Sequence, residues 1–400
     1  MNDRPADRPV DRHPEPRRLA AFFAGAFCWN LGLGMAHLAV PLYAYSLGWS
    51  GVEIGSLVAL PVLVQIWINL LSGAWADRAG GRMLAVLACA ATLAAGLLFA
   101  SGKDFAMLLA GQSAFIVSRA LFWPATWSLA TQLPGDRSRT LGRLNATTSL
   151  GQILGTGAAG IALAQAGFPA TFVALALVGG LAAGACMLAF HVPAPKTAGA
   201  RPPLFAAYAP LARRRSIYYA VLCAYVSGLP LSMSMSFYPI LLATQGFSSE
   251  ASGWLIALRG VGSVAAGFLA GRYVTRTADP RAPLAGALAV AVSVLLVAAW
   301  PHLAPISLFL FAVGVGSGVL TLYFQLLISD LSAPGERGAA LALGGLGWGV
   351  SHLTTPLVMG TLQDAFGIVA AFQAMGILAI AWAAALWPLH RWAFRHGRPA

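Results

Sequence analysis

Beyond an N-terminal stretch in which Asp, Arg and Pro alternate, the chain is a succession of long apolar runs. Each run is closed by a short cluster of charge, Gly or Pro. Crossing ~30 Å of hydrocarbon as a helix takes roughly 20 residues. Only a helix satisfies every backbone amide within its own segment. Charges, Gly and Pro taken as punctuation predict twelve spans, at 19–46, 52–75, 83–101, 105–131, 144–165, 169–190, 217–245, 251–273, 283–300, 304–328, 340–362 and 367–389. Residues 1–18 have no apolar face and are expected to form a disordered tail. The run after them is too long for a signal peptide and lacks a cleavage site, so it is expected to remain as the first span.

Composition agrees with a lipid solvent. Hydrophobic residues make up 58% of the chain and charged ones 10%, whereas soluble domains are about 25% charged. The net charge of +12 would suit nucleic acid only if the basic residues gathered on one aqueous face. They do not. Of the 25 Lys and Arg, 22 fall in the two tails and in the alternate loops after spans 2, 4, 6, 8 and 10; Lys103 lies opposite, and Arg119 and Arg259 lie within spans. By the positive-inside rule both termini are expected in the cytoplasm, in a multi-pass protein of the cytoplasmic (inner) membrane. Cys28, Cys89, Cys186 and Cys223 sit inside apolar runs without ligand spacing, and read as small buried hydrophobes.

The chain also repeats itself. Shifted by 198 residues, Pro41, Gly48, Trp49 and Gly55 overlie Pro239, Gly246, Phe247 and Gly253. Farther along the shift is 200, and Gly160, Gly167, Ala170 and Phe172 overlie Gly360, Gly367, Ala370 and Phe372. The expected organisation is therefore a tail at 1–18, a six-helix bundle at 19–190, a cytoplasmic linker at 191–215, a second six-helix bundle at 216–390, and a tail at 391–400. The predicted fold class is an all-α membrane protein of two pseudo-symmetric six-helix bundles.

One connection concentrates charge and glycine: "GAWADRAGGR", residues 73–82, after the second span. Its counterpart after the eighth span keeps Gly271 and Arg276 but has Thr275 in place of Asp77. Twelve spans, the repeat, and Gly73, Asp77, Arg78, Gly80 and Arg82 in this loop resemble the major facilitator superfamily of secondary transporters. The resemblance implies that the loop is a conformational gate. In physical terms, a carboxylate at Asp77 can dock on the N-terminus of span 11, which carries about half a positive charge, when that side closes. Arg119 with Pro124 matches the family's span-4 signature. The glycine-rich span-5 pattern is partly met by Gly151, Gly155, Gly157 and Gly160, with Thr156 where the pattern has Pro; Pro356 fills the matching slot of span 11. These glycines and Pro356 are the expected helix hinges.

An arginine at mid-membrane costs roughly 2.5–3.5 kcal/mol on insertion scales. Arg119 and Arg259 come one from each half, and no Asp or Glu lies deep in a span to neutralise them. They are candidate ligands for an anionic solute near the interface of the halves. The alternative is that Arg119 is a structural residue bonded to helix carbonyls and water, and that Arg259 faces a wet gate. Asn30, His37, Gln65, Gln112, Tyr225, Tyr323, Gln325 and His352 are further substrate or coupling candidates. The histidines could carry a coupled proton, since imidazole titrates near neutral pH. The leading expectation is a monomeric secondary transporter that moves a small organic solute by alternating access, with proton-coupled efflux (antiport) as the resemblance implies. A carrier or importer of an anionic metabolite is the alternative, and a transport-dead receptor or scaffold on the same fold a second. No nucleotide loop or hydrolase signature occurs, so neither an enzyme nor a cofactor, metal or nucleic-acid partner is expected.

Overall fold

The computed structural model describes residues 15–79, 81–131, 133, 136–189, 208–273, 279–332 and 337–395, without the side chains of 69–79, 137–138, 269–273 and 337–338. In chain order the helices are α1 (Pro16–Ser46), α2 (Gly51–Ala79), α3 (Gly81–Ser101), α4 (Phe105–Thr131), α5 (Arg137–Leu188), α6 (Tyr208–Ala212), α7 (Arg215–Ser234), α8 (Tyr238–Thr244), α9 (Ser249–Tyr273), α10 (Arg281–Val297), α11 (Leu303–Leu331), α12 (Arg337–Phe366) and α13 (Ile368–Phe394). Among the described residues nine helices are long and apolar enough to cross a membrane.

The expected count of twelve spans is not met element for element, and the departures have local causes. The long α5 carries two expected spans, because the chain doubles back at Gly167, whose φ of 75° is open to glycine. The expected seventh span is divided into α7 and α8. Pro239 has no N–H for the carbonyl of Met235, and Ser234 and Ser236 return their hydroxyls to the carbonyls of Pro230 and Ser232 at 2.8 and 2.7 Å. Both effects loosen the helical ladder at Met235–Phe237. The short α6 lies in the stretch expected to link the bundles.

The repeat is visible in the backbone. Positive φ occurs among the described residues at Gly48, Gly246, Gly167 and Gly367 alone, at 79°, 85°, 75° and 83°. Those four are two matched pairs of the repeat. Helix neighbours pair in the same way: α1 packs on α5 as α7 does on α12, and α2 on α4 as α9 does on α11. Small residues set these distances. At Gly34 and Gly155 a side chain would strike the opposing backbone of α5 and α1, as expected where helices associate in lipid.

Each bundle buries its own polar and aromatic core. In the first, Trp29 Nε1 donates to Ser118 Oγ at 2.8 Å, Ser118 and Thr92 share a bond of 2.8 Å, and Trp29 stacks on Phe122 at 3.8 Å. In the second, Trp348 Nε1 donates to Ser227 Oγ at 2.6 Å, and Tyr219 meets Tyr323 edge-on at 6.2 Å. The cysteine thiols are free; Cys89 and Cys186 face each other at 3.8 Å between α3 and α5.

Candidate functional site

The two bundles meet along two helix pairs, α2 with α12 and α5 with α9. Close approaches cluster at the end remote from the chain termini, hereafter the distal end. There a Cβ on Gly51 would lie 2.6 Å from the carbonyl of Gly360, and Gly55 abuts the backbone of Pro356. The other pair mirrors this: a Cβ on Gly160 would lie 2.5 Å from the carbonyl of Ser249, and one on Gly253 would lie 2.7 Å from that of Thr156. The repeat places Gly51 over Ser249, Gly360 over Gly160, Gly55 over Gly253 and Pro356 over Thr156. A pseudo-two-fold axis therefore runs through the seam. A carboxylate strengthens one side of it: Asp364 of α12 accepts the N–H groups of Gly51 and Val52 at 2.5 and 2.9 Å.

Below this closure a basic cluster spans the seam. His37 on α1 and Arg119 on α4 come from the first half; Arg259 on α9 and His352 on α12 come from the second. All four are buried, and both arginines act electrostatically on both imidazoles. Arg119 Nη1 donates to the sulfur of Met235 at 3.3 Å, a weak acceptor for a guanidinium. Its Nε has no partner, nor do Arg259 Nε, His37 Nε2, His352 Nε2 and the hydroxyl of Tyr238. Ala36, His37, Val40, Gln112, Phe115, Arg119 and Met235 enclose a small cavity. Buried donors left in this way carry a desolvation cost of about 1–3 kcal/mol each, more when charged.

The symmetry explains why these groups converge. By the repeat His37 overlies Met235, and Gln152 overlies His352. The Gln152 amide faces His37 Nδ1 at 3.5 Å, while His352 Nδ1 donates to the carbonyl of Trp348. That bond leaves Nε2 of a neutral His352 as an unpartnered acceptor. Pro41, Pro239 and Pro356 each stand four residues after a member of this set, His37, Met235 and His352 respectively. None of them can donate to that residue's carbonyl. The backbone thus adds polarity at the level where the cations lie.

Other sequence candidates lie elsewhere. Asn30 returns its amide to Ala26 O at 2.9 Å. Tyr225 bonds Thr354 at 3.2 Å and packs on Trp382. Tyr323 is enclosed in the second bundle, Gln325 is exposed, and Gln65 is half-buried on α2. Gly151 and Gly155 of α5 pack on α1, whereas Gly157 and Gly160 face α9. The α5 glycines therefore serve contact on two faces. Of the gate loop, Arg82 is half-buried at the start of α3. The side chains of Asp77 and Arg78, the surroundings of Gly73 and Gly271, and all of Gly80 and Arg276 lie outside the described residues. Met235, Gln152 and Asp364 were not singled out as site residues from sequence.

The fold is thus an all-helical membrane protein in two matched halves, with polar groups gathered at the seam. The family model described as Major Facilitator Superfamily matches residues 22–227 and again 220–399. The chain belongs to that superfamily.

Multidrug resistance protein 1 of Bacillus subtilis (strain 168) is 26% identical over 144 residues, 36% of this chain and 37% of that protein. Quinolone resistance protein NorA of Staphylococcus aureus is 25% identical over 146 residues, 36% of this chain and 38% of its own length. The chain thus spans under two-fifths of the curated relatives it matches. Among solved structures, a bacterial homolog of the human lysosomal transporter Spinster, inward-facing and unoccupied, superposes with a TM-score of 0.80 at 15% identity, over 97% of this chain and 99% of that one. The nucleoside transporter NupG gives 0.77 at 12% identity, over 94% and 99%. At such identities the likeness concerns the fold.

Proposed function

We propose that the protein is a secondary transporter that moves a small organic solute bearing an acidic group, by alternating access at the seam. One observation carries this reading: Arg119, Arg259, His37 and His352 gather from both halves with unpartnered donors and acceptors, and the described acids lie at helix ends and in loops. An anion between the arginines would supply the missing acceptors. It would also tie the two halves together, as a solute must if its binding is to drive their exchange. The units that rock are the bundles at 19–190 and 216–390, joined through 191–215.

The finer features rest on other grounds. The Lys and Arg asymmetry supports cytoplasmic termini in the inner membrane. Two relatives are named for drug and quinolone resistance, which favours efflux. His37 and His352 are the proton carriers in this reading, since His352 Nε2 is free to accept while Nδ1 is fixed to Trp348. The gate is Asp77 against the start of α12.

The test is thermal stabilisation of the purified protein by a panel of anionic, neutral and cationic organic solutes. Anions are expected to raise the melting temperature in the parent, and Arg259→Ala to weaken the binding of the best of them by about tenfold or more, as loss of a charge-assisted bond predicts. A second reading, export of lipophilic cations, is favoured by the printed name of the multidrug relative. Cations alone stabilising the protein would select it and remove the role given to the arginines.

A further inference from the structure

The start of α2 satisfies its own donors only in part, and the remainder are taken by the other half. Glu53 Oε2 accepts the N–H and the hydroxyl of Ser50, both at 2.8 Å, and Ser50 Oγ accepts the N–H of Glu53 at 3.2 Å. This is a reciprocal cap. Ile54 N–H already reaches Ser50 O at 3.0 Å. Of the orphan donors that open every helix, those of Gly51 and Val52 are left. Asp364, more than three hundred residues away on α12, takes both, one with each carboxylate oxygen.

We propose that Asp364 is the latch that holds the distal gate of the transporter shut. The reading rests on the alternating-access function proposed above. In the closed arrangement a carboxylate meets two backbone N–H groups at the positive end of a helix. Opening the seam must break both bonds at once and return those groups to water. Close approach is built in: a side chain at Gly51 would strike the carbonyl of Gly360, one turn before Asp364.

The latch is single. In the repeat Asp364 overlies Ala164, which has no carboxylate for the start of α9. There Ser248 Oγ accepts the N–H of Ala251 at 3.2 Å and serves its own helix. The α5–α9 side of the seam closes by packing, with Gly157 flat against the Trp254 ring. Asp364 also completes a pattern with Asp77. Asp77 lies in the last turn of α2, and its proposed dock is the first turn of α12; Asp364 lies in the last turn of α12 and docks on the first turn of α2. One helix pair would thus carry a carboxylate latch at each end, and rocking would engage them in turn.

The experiment measures a distance across the gate and requires no solute. Spin labels replace exposed Tyr45 and Phe366, one from each half at the distal end, in full-length protein with its four cysteines replaced, in lipid nanodiscs. Pulsed electron resonance reads the distribution. The parent is expected to populate mainly the short distance, and Asp364→Ala to shift the closed-to-open ratio about tenfold toward the longer one, as loss of two charge-assisted bonds implies. Isosteric Asp364→Asn should shift it in the same direction, which guards against misfolding of the alanine variant. Glu53→Gln, which weakens α2's own cap and removes a like charge beside Asp364, should leave the short distance at least as populated as in the parent. Parent-like distributions in both Asp364 variants, or an equal opening by Glu53→Gln, would overturn the latch. A single distance in every variant, with or without anion, would instead count against alternating access itself.

Discussion

Arg259 is expected to act in opposite senses on stability and on anion binding, and that makes it testable at the scale of one side chain. Its guanidinium is buried with Nε unpartnered, and replacing a buried unpaired charge by an apolar residue of similar volume commonly stabilises a fold. Arg259→Met is therefore expected to raise the melting temperature of the unliganded protein and to abolish stabilisation by anions. A lowered melting temperature without solute would assign the residue to structure instead. Ser118 gives the opposite case. It accepts from Trp29 and bonds Thr92 inside the first bundle, so Ser118→Ala should cost about 1–3 kcal/mol by orphaning the indole N–H. Thermal unfolding in detergent reads this as a lower melting temperature, and no change would mean that water replaces the hydroxyl. Sequence brought Arg119, Arg259, His37 and His352 into view because polar groups in apolar runs are conspicuous. Met235 was hidden because a methionine in a membrane span is unremarkable until it sits against Arg119.

Helices carry the next layer of meaning, and here glycine decides which of them touch. Gly155 packs within the first bundle on Leu31, whereas Gly157, two residues on, faces Trp254 across the seam. The two positions separate folding from gating. Gly155→Ala is expected to overpack α1 against α5 and cost about 1–3 kcal/mol, seen as a lower melting temperature. Gly157→Leu should leave the bundle's folding nearly intact and hold the distal seam apart, seen as a longer distance between labels at positions 45 and 366. Equal effects of both on stability would deny that the two faces have separate roles. Element boundaries were largely legible, since charges and glycines mark helix ends in so apolar a chain. One departure was not. The break at Met235–Phe237 depends on serine hydroxyls competing with backbone donors, a local effect that periodicity does not register. The turn at Gly167, by contrast, falls between the spans expected at 144–165 and 169–190. Asp364 was placed at a span end from sequence, yet its partners lie on another helix of the other half; a one-dimensional reading has no means of pairing them.

At the scale of the molecule, the repeat explains both the fold and the site. Matched positions 37 and 235, and 152 and 352, converge because the halves are related by a pseudo-two-fold axis, and matched contacts at Gly51 and Ser249 close the distal end. Alternating access requires that these halves rock, exposing the basic cluster to one side and then the other. The most direct test is a pair of distances measured by pulsed electron resonance in nanodiscs. One pair of labels, at Tyr45 and Phe366, spans the distal end. A second, at exposed Arg143 and Arg281, spans the end that carries the termini. Two populations are expected for each pair, exchanging in opposite senses, so that an anion or the Asp364→Ala change that lengthens one distance shortens the other. Distances that stay fixed, or that lengthen together, would contradict alternating access.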